Sequence, residues 1–191
     1  MDENEGRQLV FVYGTLKRGY PNHHYFEDTN IGQATFVGTA MTVEAWPLVV
    51  TTRFSLPYLL DQKGAGCPVK GELYELDDRM LEFCDDFEDH PQIYERTKLR
   101  VAMTMTSFNP KEDDLEFTEK YLPGAEVDCW CYMLRKIAPK ILSLPYYEEY
   151  RGNEVDITYD PVLEQEGDYF TDTLVDLGLM DESQKEQFFN R

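Results

Sequence analysis

The chain has 191 residues, 42% hydrophobic and 14% aromatic, enough to bury one sizeable core and too few for two full domains. Its 37 Asp and Glu against 18 Lys and Arg leave a formal charge of −19, which repels nucleic acid and anionic lipid and points to cationic or neutral small partners. No apolar run approaches the roughly 20 residues that span a bilayer, no charged-then-apolar leader precedes Leu9, and Cys67, Cys84, Cys129 and Cys131 follow no disulfide framework; the expectation is a reduced, cytosolic protein.

Leu9 to Tyr13 is nearly continuously apolar, which predicts a strand covered on both faces, running into a turn at Gly14-Thr15-Leu16. Phe36 to Val50 and Pro57 to Leu60 are rich in β-branched and aromatic residues but interrupted at Trp46-Pro47 and Pro57, so short strands with irregular joints are expected. Val69 to Leu76 alternates as a further strand. At Asp77-Asp78, plausible N-cap residues, the period changes: Met80, Phe83 or Cys84, and Phe87 recur at helical spacing. This helix must end by His90, because Pro91 disfavours helical geometry in the residue before it, and Glu88 falls on its last turn or just past it. Tyr94 to Met105 and Val127 to Leu134 predict two more strands around an acidic insert at 110–116, expected as a solvated loop. After Pro145 the chain is acidic and tyrosine-rich. A last helix is expected from Asp181, where Asp181 and Gln184 have capping-box spacing, toward Phe188 and Phe189.

Two stretches are candidates for chemistry. Gly14 can adopt positive φ, and the N–H groups of such a turn can converge on an anion, either a carboxylate or a developing oxyanion; a plain structural turn is the competing reading. The P-loop and dinucleotide patterns are missing, and Lys17 and Arg18 are expected as ordinary solvated charges. Glu88 meets the negative end of a helix dipole and is crowded by Asp85, Asp86 and Asp89, both of which favour a raised pKa and general acid/base work, although acidic helix ends also serve as plain solvated faces. His23, His24 and His90 fit no metal-ligand spacing, and neither the Asp77 region nor 156–160 has a calcium-loop pattern, so no metal is expected. Cys129 and Cys131 share one strand face and are expected in the core.

Taken together, VYGTLKRGYPNH, VKGELYEL and MLEFCDDFEDHPQIYERT, with AWPLVV and LPYLL between them, resemble the γ-glutamylcyclotransferase superfamily, and within it the γ-glutamylaminecyclotransferases. The likeness extends over residues 8 to 160, apart from the acidic insert. It implies an α+β fold, a small mixed β-barrel with flanking helices, over residues 1–160, followed by an acidic, partly helical C-terminal extension at 161–191. It also implies a monomeric, cofactor-independent enzyme that converts a γ-glutamyl amine to 5-oxoproline and free amine. Tyr13, Gly14, Thr15 and Leu16 match the loop that binds the γ-glutamyl group, Glu88 the general acid/base, and Tyr94 a tyrosine of the pocket wall. The expected substrate is ε-(γ-glutamyl)-lysine. The alternatives are γ-glutamyl α-amino acids, glutathione-related compounds, or a module that binds a γ-glutamyl metabolite without turning it over.

Overall fold

The computed structural model describes residues 6–107, 119–153 and 168–189; the acidic insert at 110–116 and the 156–160 stretch lie outside them. Five strands close a barrel in the order β1 (Gln8–Val12), β5 (Lys70–Leu76), β2 (Ala34–Thr42), β6 (Glu95–Thr106) and β7 (Glu126–Met133). Four seams are antiparallel; the closing one, between β7 and β1 at Val10 and Trp130, is parallel, which makes the barrel mixed. A separate hairpin pairs β3 (Leu48–Thr51) with β4 (Leu56–Leu59). Helices α1 (His24–Glu27), α2 (Asp78–Phe87), α3 (Tyr169–Leu177) and α4 (Glu182–Phe189) complete the described elements, with one 3-10 turn at Ile141–Ser143. Among the described residues no helix is long and apolar enough to cross a membrane.

The continuous apolar character of β1 has a direct cause. Phe11 and Tyr13 point into the interior cluster with Leu73, Val101, Cys129 and Cys131, whereas Val10 and Val12 face an outer cluster with Tyr74, Met80 and Tyr132. A strand covered on both faces has no position left for a polar residue. Cys129 and Cys131 fill the interior as expected, and burial pushes the Cys129 thiol up to about 12, the behaviour of a packing group rather than a nucleophile. All four cysteines are free.

Helix α2 starts where the sequence predicts. The Asp77 side chain accepts a hydrogen bond from the Met80 N–H at 2.8 Å, and Met80 and Cys84 are the residues it buries completely. The helix ends before His90, as expected, with Glu88 just past its last turn, and the backbone closes it ahead of Pro91. Asp89 adopts a left-handed φ of 48°, its N–H bonds the Asp86 carbonyl at 3.2 Å, and the His90 N–H bonds the Asp85 carbonyl at 2.9 Å. That is a Schellman closure built on an aspartate where glycine is usual, and it leaves Glu88 as the C-cap. Replacing Asp77 by Ala should lower stability by ~1 kcal/mol, read as a fall in the urea midpoint at unchanged slope.

The reciprocal capping box of α4 is present: the Gln184 N–H donates to Asp181 Oδ1, and the Asp181 N–H donates to Gln184 Oε1, each at 2.8 Å. The side chains of Phe188 and Phe189 lie outside the described residues. Helix α1 departs from the sequence expectation, and α3 falls in the 161–191 extension expected to be partly helical, ahead of the one helix placed there from Asp181. The first is a single turn, and the second is compatible with periodicity only in hindsight, since its buried positions include Thr171 and Thr173.

Candidate active site

Tyr13, Gly14, Thr15, Leu16, Glu88 and Tyr94 come from three separate parts of the chain and all line one cavity of about 220 Å³. This is smaller than the roughly 300–1,000 Å³ of pockets for drug-sized ligands. It suits a group the size of one amino acid, with any longer substituent directed toward the mouth.

The loop after β1 is fixed from both sides. The Lys17 N–H donates to the Gly14 carbonyl at 3.2 Å, and Asn22 holds Thr15 twice, through its N–H to the Thr15 carbonyl at 3.1 Å and its Nδ2 to Thr15 Oγ1 at 3.0 Å. Among the described residues, the N–H groups of Gly14, Thr15 and Leu16 donate to no backbone carbonyl. Gly14 does not use the positive φ open to a glycine. The glycine is required instead by close approach, because a Cβ there would stand 2.7 Å from Cγ of Pro57 in β4.

Lys17 also departs from expectation. It is buried at 4% exposure, its Nζ donates to the Tyr150 carbonyl at 2.7 Å, and it lies 4.5 Å from the Tyr20 ring centroid. Arg18 is exposed but engaged: its N–H and Nε donate to the two carboxylate oxygens of Glu72, and its guanidinium stacks 3.4 Å from the Phe36 ring centroid. The buried Glu72 also accepts from the Tyr74 hydroxyl at 2.8 Å. The two basic residues therefore tether the loop to the barrel wall and to Tyr150.

Tyr13, Tyr94 and Tyr132 all line the cavity, each with its hydroxyl engaged. The Tyr13 hydroxyl donates to the Tyr132 carbonyl at 2.8 Å and accepts from the Leu59 N–H at 3.2 Å. Tyr94 donates to the Pro57 carbonyl at 3.0 Å and stacks on Tyr58 with ring centroids 5.3 Å apart. Tyr132 donates to Asp85 Oδ1 at 2.7 Å, which turns that acid away from the role of a free base. Burial pushes the Tyr13 and Tyr94 phenols well above their usual range, and the nearby Glu88 carboxylate adds to the effect on both. They stay neutral, as donors committed to backbone carbonyls. Burial alone also raises the Asp89 carboxyl.

Sequence reasoning missed several lining residues. Asn22, Leu56 and Pro57 lie within stretches that carry the resemblance, but no chemistry of their own marks them as site residues, and Tyr169 arrives from α3. The histidines are structural: the Nδ1 atoms of His23, His24 and His90 each lie within 3.3 Å of a backbone carbonyl. Among the described residues no group of three or more His, Cys, Asp or Glu is arranged to hold a metal ion.

The sequence model of the family described as "Gamma-glutamyl cyclotransferase, AIG2-like" matches residues 10–152. The chain belongs to this family. Among its cyclotransferase relatives, the gamma-glutamylaminecyclotransferase of Mus musculus is 45% identical over 141 residues, 74% of this chain and 87% of that protein. The Homo sapiens protein of the same name is 41% identical over 142 residues, 74% of this chain and 88% of that protein. The barrel agrees with an experimental fold: the crystal structure of an AIG2-like protein from Mus musculus superposes with a TM-score of 0.68 at 40% identity, covering 82% of this chain and 97% of that one. The matched region of the family model contains the loop, Glu88 and Tyr94, and ends before α3.

Proposed function

We propose that this chain is a cyclotransferase that converts γ-glutamylamines to 5-oxoproline and free amine, with Glu88 as general acid/base and the Tyr13–Leu16 loop as the γ-glutamyl site. The observation that carries this reading is the meeting of that loop and Glu88 on one amino-acid-sized cavity in a member of the cyclotransferase family.

The chemistry needs little else. The α-amino nitrogen of the substrate attacks its own γ-carbonyl carbon, a nitrogen–carbon bond closes the five-membered ring, and the amide carbon–nitrogen bond breaks. Glu88 accepts the proton shed by the amino group and delivers one to the departing nitrogen, so protons balance and no water is consumed. Both reacting groups belong to one molecule, and holding them in a near-attack geometry supplies up to about 7–11 kcal/mol of the barrier. The N–H groups of Gly14, Thr15 and Leu16, which donate to no described backbone carbonyl, are suited to bind either the α-carboxylate or the tetrahedral oxyanion.

The leaving amine that best fits is the lysine side chain of ε-(γ-glutamyl)-lysine. The small cavity leaves a long amine to extend toward the mouth, and a net charge of −19 favours the released lysine, whose freed ε-amine makes it cationic. The same reading makes the chain a cytosolic monomer that binds neither nucleic acid nor membrane, with 1–160 as the catalytic domain and 161–191 as an acidic extension; its four free cysteines are consistent with a reducing compartment.

The test is 5-oxoproline release from ε-(γ-glutamyl)-lysine beside a γ-glutamyl α-amino acid and glutathione. Preferential release from the isopeptide supports the whole reading. Preference for either of the others would keep the reaction and replace the substrate, and folded protein silent on all three would sink it.

A further inference from the structure

Helix α3 lies beyond residue 152, where the family match stops, yet it reaches the cavity: Tyr169, its first residue, is part of the lining. The helix is not loosely appended. Thr171, Thr173 and Leu177 are fully buried, and the Tyr169 ring packs on Phe54 of the β3–β4 turn with centroids 5.1 Å apart. Arg53, next to Phe54, clasps the helix. Its Nε and one terminal nitrogen form a bidentate pair with Asp176, each bond 2.9 Å, its other terminal nitrogen reaches Asp172 at 2.9 Å, and its backbone N–H adds a fourth bond to Asp176 at 2.9 Å. Lys185 of α4 bonds Asp172 from the other side. The hairpin that receives α3 also supplies Leu56 and Pro57 to the cavity, so the clasp and the cavity wall share one rigid element.

We propose that α3 is a wall added to this cavity and that Tyr169 is a specificity-determining residue, packing against the leaving amine rather than the γ-glutamyl group. This rests on the cyclotransferase reading above. On the cyclotransferase reading the γ-glutamyl half is held by the Tyr13–Leu16 loop and Glu88, all within the family-matched part of the chain, whereas Tyr169 reaches the same cavity from beyond that part and is left to meet the leaving amine. An aromatic ring there offers the apolar stem of a long amine a surface to lie on, and a short amine gains nothing from it.

The experiment compares kcat/KM for γ-glutamyl-methylamine, γ-glutamyl-butylamine and ε-(γ-glutamyl)-lysine in the full-length protein and in Tyr169→Ala, Tyr169→Phe and Arg53→Met. The expected result is a selective loss in Tyr169→Ala, on the order of tenfold for the two long amines and within about twofold for methylamine, since a few pocket methylenes are worth that much discrimination. Tyr169→Phe, which keeps the ring, should retain the wild-type ratio. Arg53→Met, which loosens the clasp without touching the cavity, should shift the ratio as Tyr169→Ala does and speed hydrogen exchange across 169–177. An equal change on all three substrates, or an unchanged ratio in Tyr169→Ala, would overturn this inference while leaving the reaction standing. Wild-type protein inactive on all three would overturn the γ-glutamylamine substrate and this inference together, and 5-oxoproline release from a γ-glutamyl α-amino acid would then show whether the reaction itself stands.

Discussion

Glu88→Gln is expected to abolish most turnover, with kcat falling about 10²–10⁴-fold, the usual contribution of a positioned acid/base, while the thermal midpoint stays near that of the wild type. The substitution keeps the shape and hydrogen-bonding reach of the side chain and removes only its capacity to hold and return a proton. Glu88 caps α2 through its backbone N–H, which donates to Cys84 and Asp86, and a Gln backbone does the same. Asp85 is poorly placed to substitute, being held by Tyr132 and, at 3.5 Å, by Arg96. A Glu88→Gln protein that released 5-oxoproline at the wild-type rate would remove Glu88 from the mechanism.

Gly14→Ala is expected to damage both stability and rate. The added Cβ would meet Pro57 Cγ at 2.7 Å, and a proline ring in a paired strand has little room to retreat, so the loop must move instead. Overpacking of this kind costs about 1–3 kcal/mol, and displacing a reacting group by about 1 Å can cost 10²-fold in rate. Because the cause is one contact, a second substitution should relieve it. Pro57→Ala removes Cγ but keeps the backbone carbonyl that Tyr94 bonds, so the double variant should recover a large part of both losses. If Gly14→Ala and the double variant were equally impaired, the steric account would be wrong and a conformational demand at Gly14 would take its place. Urea midpoints together with 5-oxoproline release separate the two effects.

The outcomes at individual residues show where local signals end. Five residues of uninterrupted apolar character gave away a doubly covered β1, and the switch from period two to period 3.6 at Asp77 located α2 to within a residue, because both patterns are set by neighbours along the chain. The reciprocal Asp181–Gln184 box is likewise a contact across three residues. The candidate site was legible for a different reason: the motifs around Gly14 and Glu88 resemble a family, and that resemblance carried Tyr94 along, although nothing in its local sequence distinguishes it.

What the amino-acid sequence determined by itself, then, is the identity of the strands, the start of the catalytic-candidate helix, the core placement of Cys129 and Cys131, and a family whose loop and carboxylate could be named in advance. Only the tertiary structure decided why Gly14 is a glycine, why Lys17 is buried, and that Tyr169 belongs to the cavity. Each of these depends on a partner remote in sequence: Pro57 against Gly14, the Tyr150 carbonyl on Lys17, and the Arg53 clasp on α3. Periodicity and propensity record the interactions of a residue with the next turn or the next pleat. A steric contact, a buried lysine on a remote carbonyl or an ion-pair clasp between distant segments leaves no trace in either until the chain has closed its barrel and brought the two together.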